Sequence, residues 1–167
     1  MKKNFILIAL SITVTCLLIY TNLFKIHLIE GKSMEPTVHN NEAVLLRKTN
    51  KISRYVLIGF EDELAGNLLL KRVIGMPGDS YIIASNQLIL TEKEENNFSS
   101  VSKFQLDENV AKELSHYNMI PENQYFVVGD NRGISNDSRK LGFVNKEDIE
   151  GEVIYRIFPL NRIGRVK

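Results

Sequence analysis

Three short segments of this chain combine glycine or proline with polar side chains that could carry chemistry. They are residues 31–37 (GKSMEPT), 71–79 (KRVIGMPGD) and 129–142 (GDNRGISNDSRKLG). In the first segment, Ser33 follows the flexible Gly31 and precedes Pro36, a residue that often starts a helix. Such a turn can expose a hydroxyl and present backbone N–H groups to an oxyanion. The serine needs a base, because its hydroxyl is a poor nucleophile until its proton is removed.

No histidine lies in these segments, which leaves lysine as the base, and Ser–Lys pairs are a known variant of the catalytic triad. If residues 68–74 form a strand, Lys71 shares an apolar face with Leu69 and Val73. Burial favours the neutral amine: about 0.1% of a lysine is neutral at pH 7.4 at its ordinary pKa, and roughly 20% at a pKa of about 8. The same alternation fits an edge-strand lysine whose amine reaches water, and periodicity alone favours that interpretation.

The composition excludes several other classes of protein. A length of 167 residues with 44% hydrophobic content predicts one domain with a core. The net charge of +1, without a clustered basic face, excludes a typical nucleic-acid-binding protein. The single cysteine, Cys16, permits no intramolecular disulfide, and the three histidines are scattered at positions 27, 39 and 116. No Cys/His spacing matches a metal site, so we expect neither a metal nor a cofactor.

The N-terminus is long and apolar enough to cross a membrane. Residues 4–24 contain no charged residue, and about 20 apolar residues span a bilayer as a helix. A cleaved secretory signal would need small residues at positions −3 and −1 of its cleavage site, but residues 20–27 (YTNLFKIH) are mostly bulky. We therefore expect a permanent anchor over residues 4–24, preceded by a cytoplasmic N-terminus of residues 1–3. Lys2 and Lys3 favour a cytoplasmic N-terminus. The preference is mild, because Lys25 and Lys32 follow the other end of the apolar run.

Residues 25–167 are expected to form one mostly β domain. Short β-branched or aromatic runs lie between turn signals, and we predict strands at residues 43–46, 55–60, 68–74, 81–83, 87–90, 124–128 and 151–158. Residues 91–118 are polar and include the run EKEENN, which favours a solvated surface excursion. A short helix is predicted within residues 107–114 of that segment.

The three segments resemble the conserved sequence boxes of type I signal peptidases, in the same order and with similar spacing. The pattern Ser-Met-x-Pro-Thr is present at residues 33–37, Lys-Arg-x-x-Gly-x-Pro-Gly-Asp at 71–79, and Gly-Asp-Asn-Arg-x-x-Ser-x-Asp-Ser-Arg-x-x-Gly at 129–142. The closing FPLNRIG at residues 158–164 is similar to the C-terminal strand of that family. The resemblance covers the anchor and nearly all of the domain, and most of all the single-anchor Gram-positive forms. It implies a complex β-barrel catalytic domain behind one transmembrane helix.

The resemblance also implies roles for individual residues. Ser33 is the nucleophile, Lys71 is the general base, and Ser135 orients the lysine amine. The oxyanion hole is formed by the Ser33 N–H and by a group at the position of Gly31. Some family members carry a serine there, whereas this chain, like many Gram-positive members, has glycine, which leaves backbone or water as the second donor. Two ion pairs support the site, Asp137 with Arg139 and Arg72 with Asp130. Shallow pockets for the small side chains at substrate positions −1 and −3 are lined by the apolar residues Ile29, Met34, Val38, Leu69 and Leu70.

The same resemblance predicts the setting of the enzyme. The partners would be secretory preproteins, membrane lipid and the export machinery, with the catalytic domain outside the cytoplasmic membrane. Ser33 lies nine residues after Phe24, which tethers the site within reach of the bilayer surface.

The sequence bears on four alternative functions. A non-catalytic homologue would bind clients without cutting them, but both Ser33 and Lys71 are present. A self-cleaving repressor-type protease would carry a DNA-binding module instead of an anchor. A sortase-like transpeptidase needs a cysteine in its catalytic domain, where this chain has none. A peptidase dedicated to a few secreted or pilus clients cannot be separated from a general one by sequence.

Overall fold

The computed structural model describes residues 2–62, 66–92 and 100–166. The helices are α1 (Lys2–Leu23), α2 (Glu108–Leu114) and α3 (Ser138–Leu141), with single 3-10 turns at Lys146–Asp148 and Leu160–Arg162. The strands are β1 (Phe24–Leu28), β2 (Ala43–Arg47), β3 (Leu57–Glu61), β4 (Leu68–Gly75), β5 (Ser80–Ala84), β6 (Gln87–Thr91), β7 (Val101–Gln105), β8 (Gln124–Val128), β9 (Val144–Asn145), β10 (Ile149–Phe158) and β11 (Gly164–Arg165). The mostly β class with one long N-terminal helix is thus confirmed.

Helix α1 leaves large apolar side chains exposed among the positions that the structure describes. Its stretch Ile6–Leu23 has a mean hydropathy of 2.1 and is long and apolar enough to cross a membrane. Large side chains such as Ile6 and Leu10 are more than half exposed to solvent. The helix runs directly into β1, so α1 and the first strand of the large sheet are joined without a linker.

The large sheet holds eight of the strands in the described residues and places β4 near its middle. The strand order is β1-β2-β10-β3-β4-β8-β9, with β11 paired to β10, and all of these pairs are antiparallel. Because β4 lies between β3 and β8, its central residues are buried, including Lys71. This is the position from which a lysine cannot easily reach water.

The small sheet is the antiparallel meander β5-β6-β7. Its first two strands are joined by Ser85 and Asn86, both with positive φ (51° and 58°), as the tightest hairpin turns require. Strand β7 and helix α2 contribute Phe104, Val110 and Leu114 to a buried cluster that also contains Phe126 of β8. The expectation of a solvated loop is therefore wrong for residues 101–114, although the helix predicted within 107–114 is present; residues 93–99 lie outside the described part.

Two further apolar clusters fill the large sheet. One contains Ile29, Met34, Val38, Val44, Leu46, Leu57, Leu70 and Val153. The other contains Ile52, Ile58, Phe60, Val73, Tyr125, Val127 and Val144, with Leu69 packed against it. The loop that carries Ser33 connects β1 to β2 and is buried against the first of these clusters through Met34 and Val38. The core thus fixes the position of the β1–β2 loop, which carries Ser33.

Candidate active site

Ser33 and Lys71 form a contact at the centre of the site. Lys71 Nζ lies 3.1 Å from Ser33 Oγ and also donates a hydrogen bond to the carbonyl oxygen of Leu70 at 2.7 Å. Lys71 is 1% exposed, whereas Ser33 is partly accessible. Its strand neighbours Leu69 and Val73 pack in the same apolar cluster, so the lysine is a buried residue and does not extend to water as an edge-strand lysine would. The geometry is that of a nucleophile with a base in hydrogen-bond reach.

Burial also changes the protonation of the lysine. Loss of solvent around the ammonium lowers the pKa of Lys71 to about 8, and the negative charge of Asp137 opposes this shift. At pH 7.4 roughly a fifth of such lysines are neutral, about 200 times the fraction at an ordinary pKa. A neutral amine beside a hydroxyl can accept its proton.

Gly129 brings the third segment against the nucleophile. A Cβ atom added to Gly129 would overlap the Ser135 hydroxyl and lie 2.7 Å from the carbonyl oxygen of Ser33. That carbonyl accepts a hydrogen bond from the N–H of Asn131 at 2.9 Å. The two segments are therefore in contact through the backbone, and the absence of a side chain at residue 129 permits this approach.

Ser135 is buried beside the dyad, with 2% of its surface exposed. Its hydroxyl makes no hydrogen bond within the described residues, and so none to Lys71. It is close enough to Asp137 to help lower the pKa of that carboxyl, but the contact lacks hydrogen-bond geometry. The orienting role assigned to Ser135 by the sequence remains a prediction.

Asp137 organises the loop that carries Ser135. Its fully buried carboxylate accepts hydrogen bonds from the Gly129 N–H at 2.9 Å and from Arg139 Nε and Nη2 at 2.8 and 2.9 Å. It also caps the N-terminus of α3. Burial acts to raise the pKa of Asp137, but the hydrogen bonds and the charge of Arg139 outweigh it and hold that pKa below its usual value.

A second ion pair links strand β4, which carries Lys71, to the segment 129–142. Arg72 Nε and Nη2 donate to the two carboxylate oxygens of Asp130 at 2.8 and 2.7 Å. Asp130 Oδ2 also accepts the hydroxyl of Thr37 at 2.5 Å. Because Arg72 follows Lys71 and Thr37 ends the Ser33 segment, this network joins the two halves of the dyad. The Arg72–Asp130 pair is predicted from the sequence. The role of Thr37 is not, although Thr37 lies within the first motif.

The groups assigned to the oxyanion hole differ in their engagement. The Ser33 N–H has no acceptor within the described residues. The Gly31 N–H donates to Asn40 Oδ1 at 2.8 Å, and Gly31 has a φ of 96°, which favours glycine. Asn40 was not identified from the sequence, and its single polar side chain in a loop gave no signal. The Ser33 N–H is thus the donor that the structure leaves free.

The residues assigned to substrate pockets are mostly part of the core. Ile29, Met34, Val38 and Leu70 are each at most 7% exposed and pack together in one cluster, while Leu69 is half-buried in another. Their part in binding substrate therefore stays a prediction. No group of three or more His, Cys, Asp or Glu side chains in the described residues is arranged to hold a metal ion.

Comparison with known proteins gives a consistent family. The family model "Signal peptidase, peptidase S26" matches residues 2–158. Signal peptidase I U of Bacillus subtilis is 32% identical over 99% of this chain and 94% of its own length. Signal peptidase I of Bacillus licheniformis is 34% identical over 91% of this chain and 86% of its own length. A crystal structure of a signal peptidase I from Enterococcus faecalis is 29% identical, covers 63% of this chain and 98% of its own, and superposes with a TM-score of 0.44. This chain belongs to the S26 signal peptidase family.

Proposed function

We propose that this protein is a membrane-bound signal peptidase I that removes N-terminal signal peptides from exported preproteins. The observation that carries the proposal is the 3.1 Å contact between Ser33 Oγ and the buried amine of Lys71. Its family and its relatives named signal peptidase I support the same activity. The expected cleavage follows small residues at substrate positions −3 and −1, with Ile29, Met34, Val38, Leu69 and Leu70 lining the shallow pockets.

The reaction would be acyl transfer followed by hydrolysis. Neutral Lys71 takes the proton of Ser33 as Oγ attacks the scissile carbonyl, and the Ser33 N–H donates to the oxyanion. The protonated lysine then gives its proton to the departing amine of the mature protein. Water, deprotonated by the same lysine, attacks the acyl-enzyme carbonyl. The bond to Ser33 Oγ then breaks, Oγ takes the proton back from Lys71, and the signal peptide is released. Ser135 would orient the amine, and Asp137 with Arg139 would hold the loop that carries Ser135.

The proposed topology places the chemistry beside the membrane. Helix α1 would cross the cytoplasmic membrane once, with its N-terminus in the cytoplasm and residues 25–167 outside. The direct junction of α1 with β1 keeps the large sheet close to the bilayer, where the apolar segment of a signal peptide ends. Preproteins would reach the site as they leave the export machinery.

The test is cleavage of a preprotein with an Ala-x-Ala site, in detergent, by the full chain and by Ser33→Ala. Cleavage at that site by the wild type alone is the expected result. Equal cleavage by both proteins would remove Ser33 as nucleophile. Cleavage by neither would contradict the proposed peptidase and leave a client-binding homologue or a peptidase with narrow clients.

A further inference from the structure

Strand β10 contacts the loop between β1 and β2, which carries Ser33, through one largely buried arginine. Arg156 of β10 donates from Nη1 to the carbonyl oxygen of Thr37 at 3.1 Å and to Glu42 Oε2 at 2.7 Å. Its Nε donates to the carbonyl oxygen of Arg162 at 2.8 Å. The side chain is 13% exposed, so these three hydrogen bonds form largely away from solvent. Arg156 is thus bonded on both sides, to the loop after Ser33 and to the end of the chain.

Glu42 fixes the position of that arginine. Its side chain is 3% exposed, and Oε2 accepts a hydrogen bond from the His39 N–H at 3.1 Å. Arg162 Nη1 lies 2.7 Å from Oε1, an ion pair without hydrogen-bond geometry. Burial acts to raise the pKa of Glu42, but Arg156, the His39 N–H and Arg162 outweigh it and lower that pKa. The carboxylate is therefore charged and binds two arginines.

Thr37 is held in place through both its side chain and its backbone. Its hydroxyl binds Asp130, which is paired with Arg72 next to the base, and its carbonyl binds Arg156. Between Ser33 and Thr37 the backbone makes tight turns, with the Val38 N–H bonded to the Met34 carbonyl at 2.9 Å. A displacement of the Thr37 carbonyl would therefore move Ser33, which lies one turn away.

We propose that Arg156, held by Glu42, is a positioning residue that sets the separation between Ser33 Oγ and Lys71 Nζ. It acts through Thr37 and hydrogen-bonds neither member of the dyad. This role rests on the proposed peptidase function. A misplacement of the reacting atoms by about 1 Å can lower a rate by about a hundredfold. Because Arg156 would affect the attack by Ser33 and not the binding of the substrate, its loss should lower kcat and leave KM nearly unchanged.

The sharpest test uses the double variant Arg156→Met/Glu42→Gln. Removing both charges avoids leaving a buried carboxylate unpaired, which would threaten folding. We expect kcat on the Ala-x-Ala preprotein to fall at least about tenfold with KM within about twofold. Arg47→Met is the control, because Arg47 of β2 and Glu152 of β10 form another ion pair to the same strand, but they lie 3.4 Å apart and Arg47 is 52% exposed. That control should keep kcat within about twofold of wild type.

Rescue separates positioning from stability. Arg156→Lys keeps a donor for Thr37 and Glu42 and should recover part of the kcat lost in Arg156→Met, at equal fractions of folded protein. A kcat of the double variant within about twofold of wild type, in folded protein, would overturn the proposal. If the wild type cleaves, this outcome rejects the role of Arg156 and leaves the peptidase function standing.

Hydrogen exchange tests the same inference without any activity. In the double variant the amides of residues 29–42 should exchange faster than in wild type, while those of β7 and α2 stay unchanged. Unchanged exchange in residues 29–42 would overturn the proposal, as would a uniform increase over the whole domain, which would mean general destabilisation. A wild type that fails to cleave would reject the proposed function but would not decide this measurement.

Discussion

Lys71 Nζ lies 3.1 Å from Ser33 Oγ, although the two residues are 38 positions apart in the chain. Two different parts of the fold bring them into contact. The lysine stands on a central strand, where burial removes the water that would keep it protonated, and the serine lies on a loop held by the core below and by polar contacts around it. The arrangement makes several outcomes predictable.

Replacing the base should abolish turnover and leave the fold intact. Lys71→Met fills a similar volume and removes an amine that is costly to bury, so we expect a melting temperature equal to or above that of wild type. Cleavage should fall by about a hundredfold or more, the usual contribution of general base catalysis. Processing assays and thermal unfolding on the same samples check both parts. Lys140→Met, at an exposed lysine of the third segment, is the control, and normal processing by Lys71→Met would exclude the mechanism.

The rate of cleavage should rise with pH through the pKa of the base. The pKa of Lys71 is lowered to about 8, and only the neutral amine accepts a proton, so kcat/KM should have an acidic limb with an apparent pKa near 8. At pH 7 the rate should be about a tenth of its plateau. The measurement is a pH series on a short peptide substrate, with enzyme integrity checked at each pH. A rate independent of pH between 6 and 9 would contradict a lysine base.

Stability should depend on pH through the same group. The pKa of Lys71 is lowered in the folded protein, so between about 8 and the ordinary lysine pKa of 10.5 the unfolded chain binds more protons. Its contribution to the free energy of unfolding therefore increases as pH rises through this window and is lost as pH falls through about 8. Denaturant unfolding of wild type and Lys71→Met at pH 7 and 10 checks this: the advantage of the variant should be larger at pH 7. An equal difference at both values would contradict it.

Much of the fold and the site could be predicted from local sequence. Strands with clear alternation or apolar runs, such as β4 and β8, were predicted to within a residue or so, because their residues fit a buried sheet. The predicted Arg72–Asp130 and Asp137–Arg139 pairs are present in the structure. Both involve residues of recognisable motifs.

The contacts that sequence did not indicate join polar residues far apart in the chain. Glu42 and Arg156 are 114 positions apart. Both are charged residues of types that usually lie on the surface, so only the tertiary structure reveals that they are buried together. The prediction of a solvated excursion over residues 91–118 fails for residues 101–114, because the charged run EKEENN dominates the average polarity of the whole stretch. Its few apolar residues, Phe104, Val110 and Leu114, are enough to form a core face once β7 pairs with β6.

Two buried serines of the third segment should behave differently when replaced by alanine. Ser138 Oγ accepts the Val127 N–H at 2.9 Å, so Ser138→Ala should lower the melting temperature and leave kcat of the folded fraction unchanged. Ser135 has no hydrogen bond to lose within the described residues, so Ser135→Ala should keep the melting temperature and lower kcat without eliminating it. The pair of variants is measured side by side. An unchanged kcat in Ser135→Ala would remove Ser135 from the site.

Adding one methyl group at Gly129 should be more damaging than adding it nearby. The new Cβ of Gly129→Ala would overlap Ser135 Oγ and approach the Ser33 carbonyl oxygen to 2.7 Å, so the two catalytic segments must move apart. We expect cleavage to fall by about a hundredfold. Gly133→Ala is the matched control, because nothing lies within 4 Å of a Cβ there. Equal activities of the two variants would show that the close approach is not needed.

Replacing Asp137 by asparagine should both destabilise the protein and shift its pH profile. Asn keeps the shape of the side chain but leaves Arg139 without its buried carboxylate, and breaking such a pair commonly costs about 3–5 kcal/mol. The charge of Asp137 raises the pKa of Lys71 against the effect of burial, so its removal should lower that pKa below about 8. The acidic limb of kcat/KM should therefore move to lower pH in the folded fraction. Arg72→Met, which breaks the Arg72–Asp130 ion pair, is the comparison, because among the described residues it is the charge of Asp137 that acts on the pKa of Lys71. A lower melting temperature with an unmoved acidic limb would mean that Asp137 only supports the loop, while a shift of the limb to higher pH would contradict Lys71 as the titrating base.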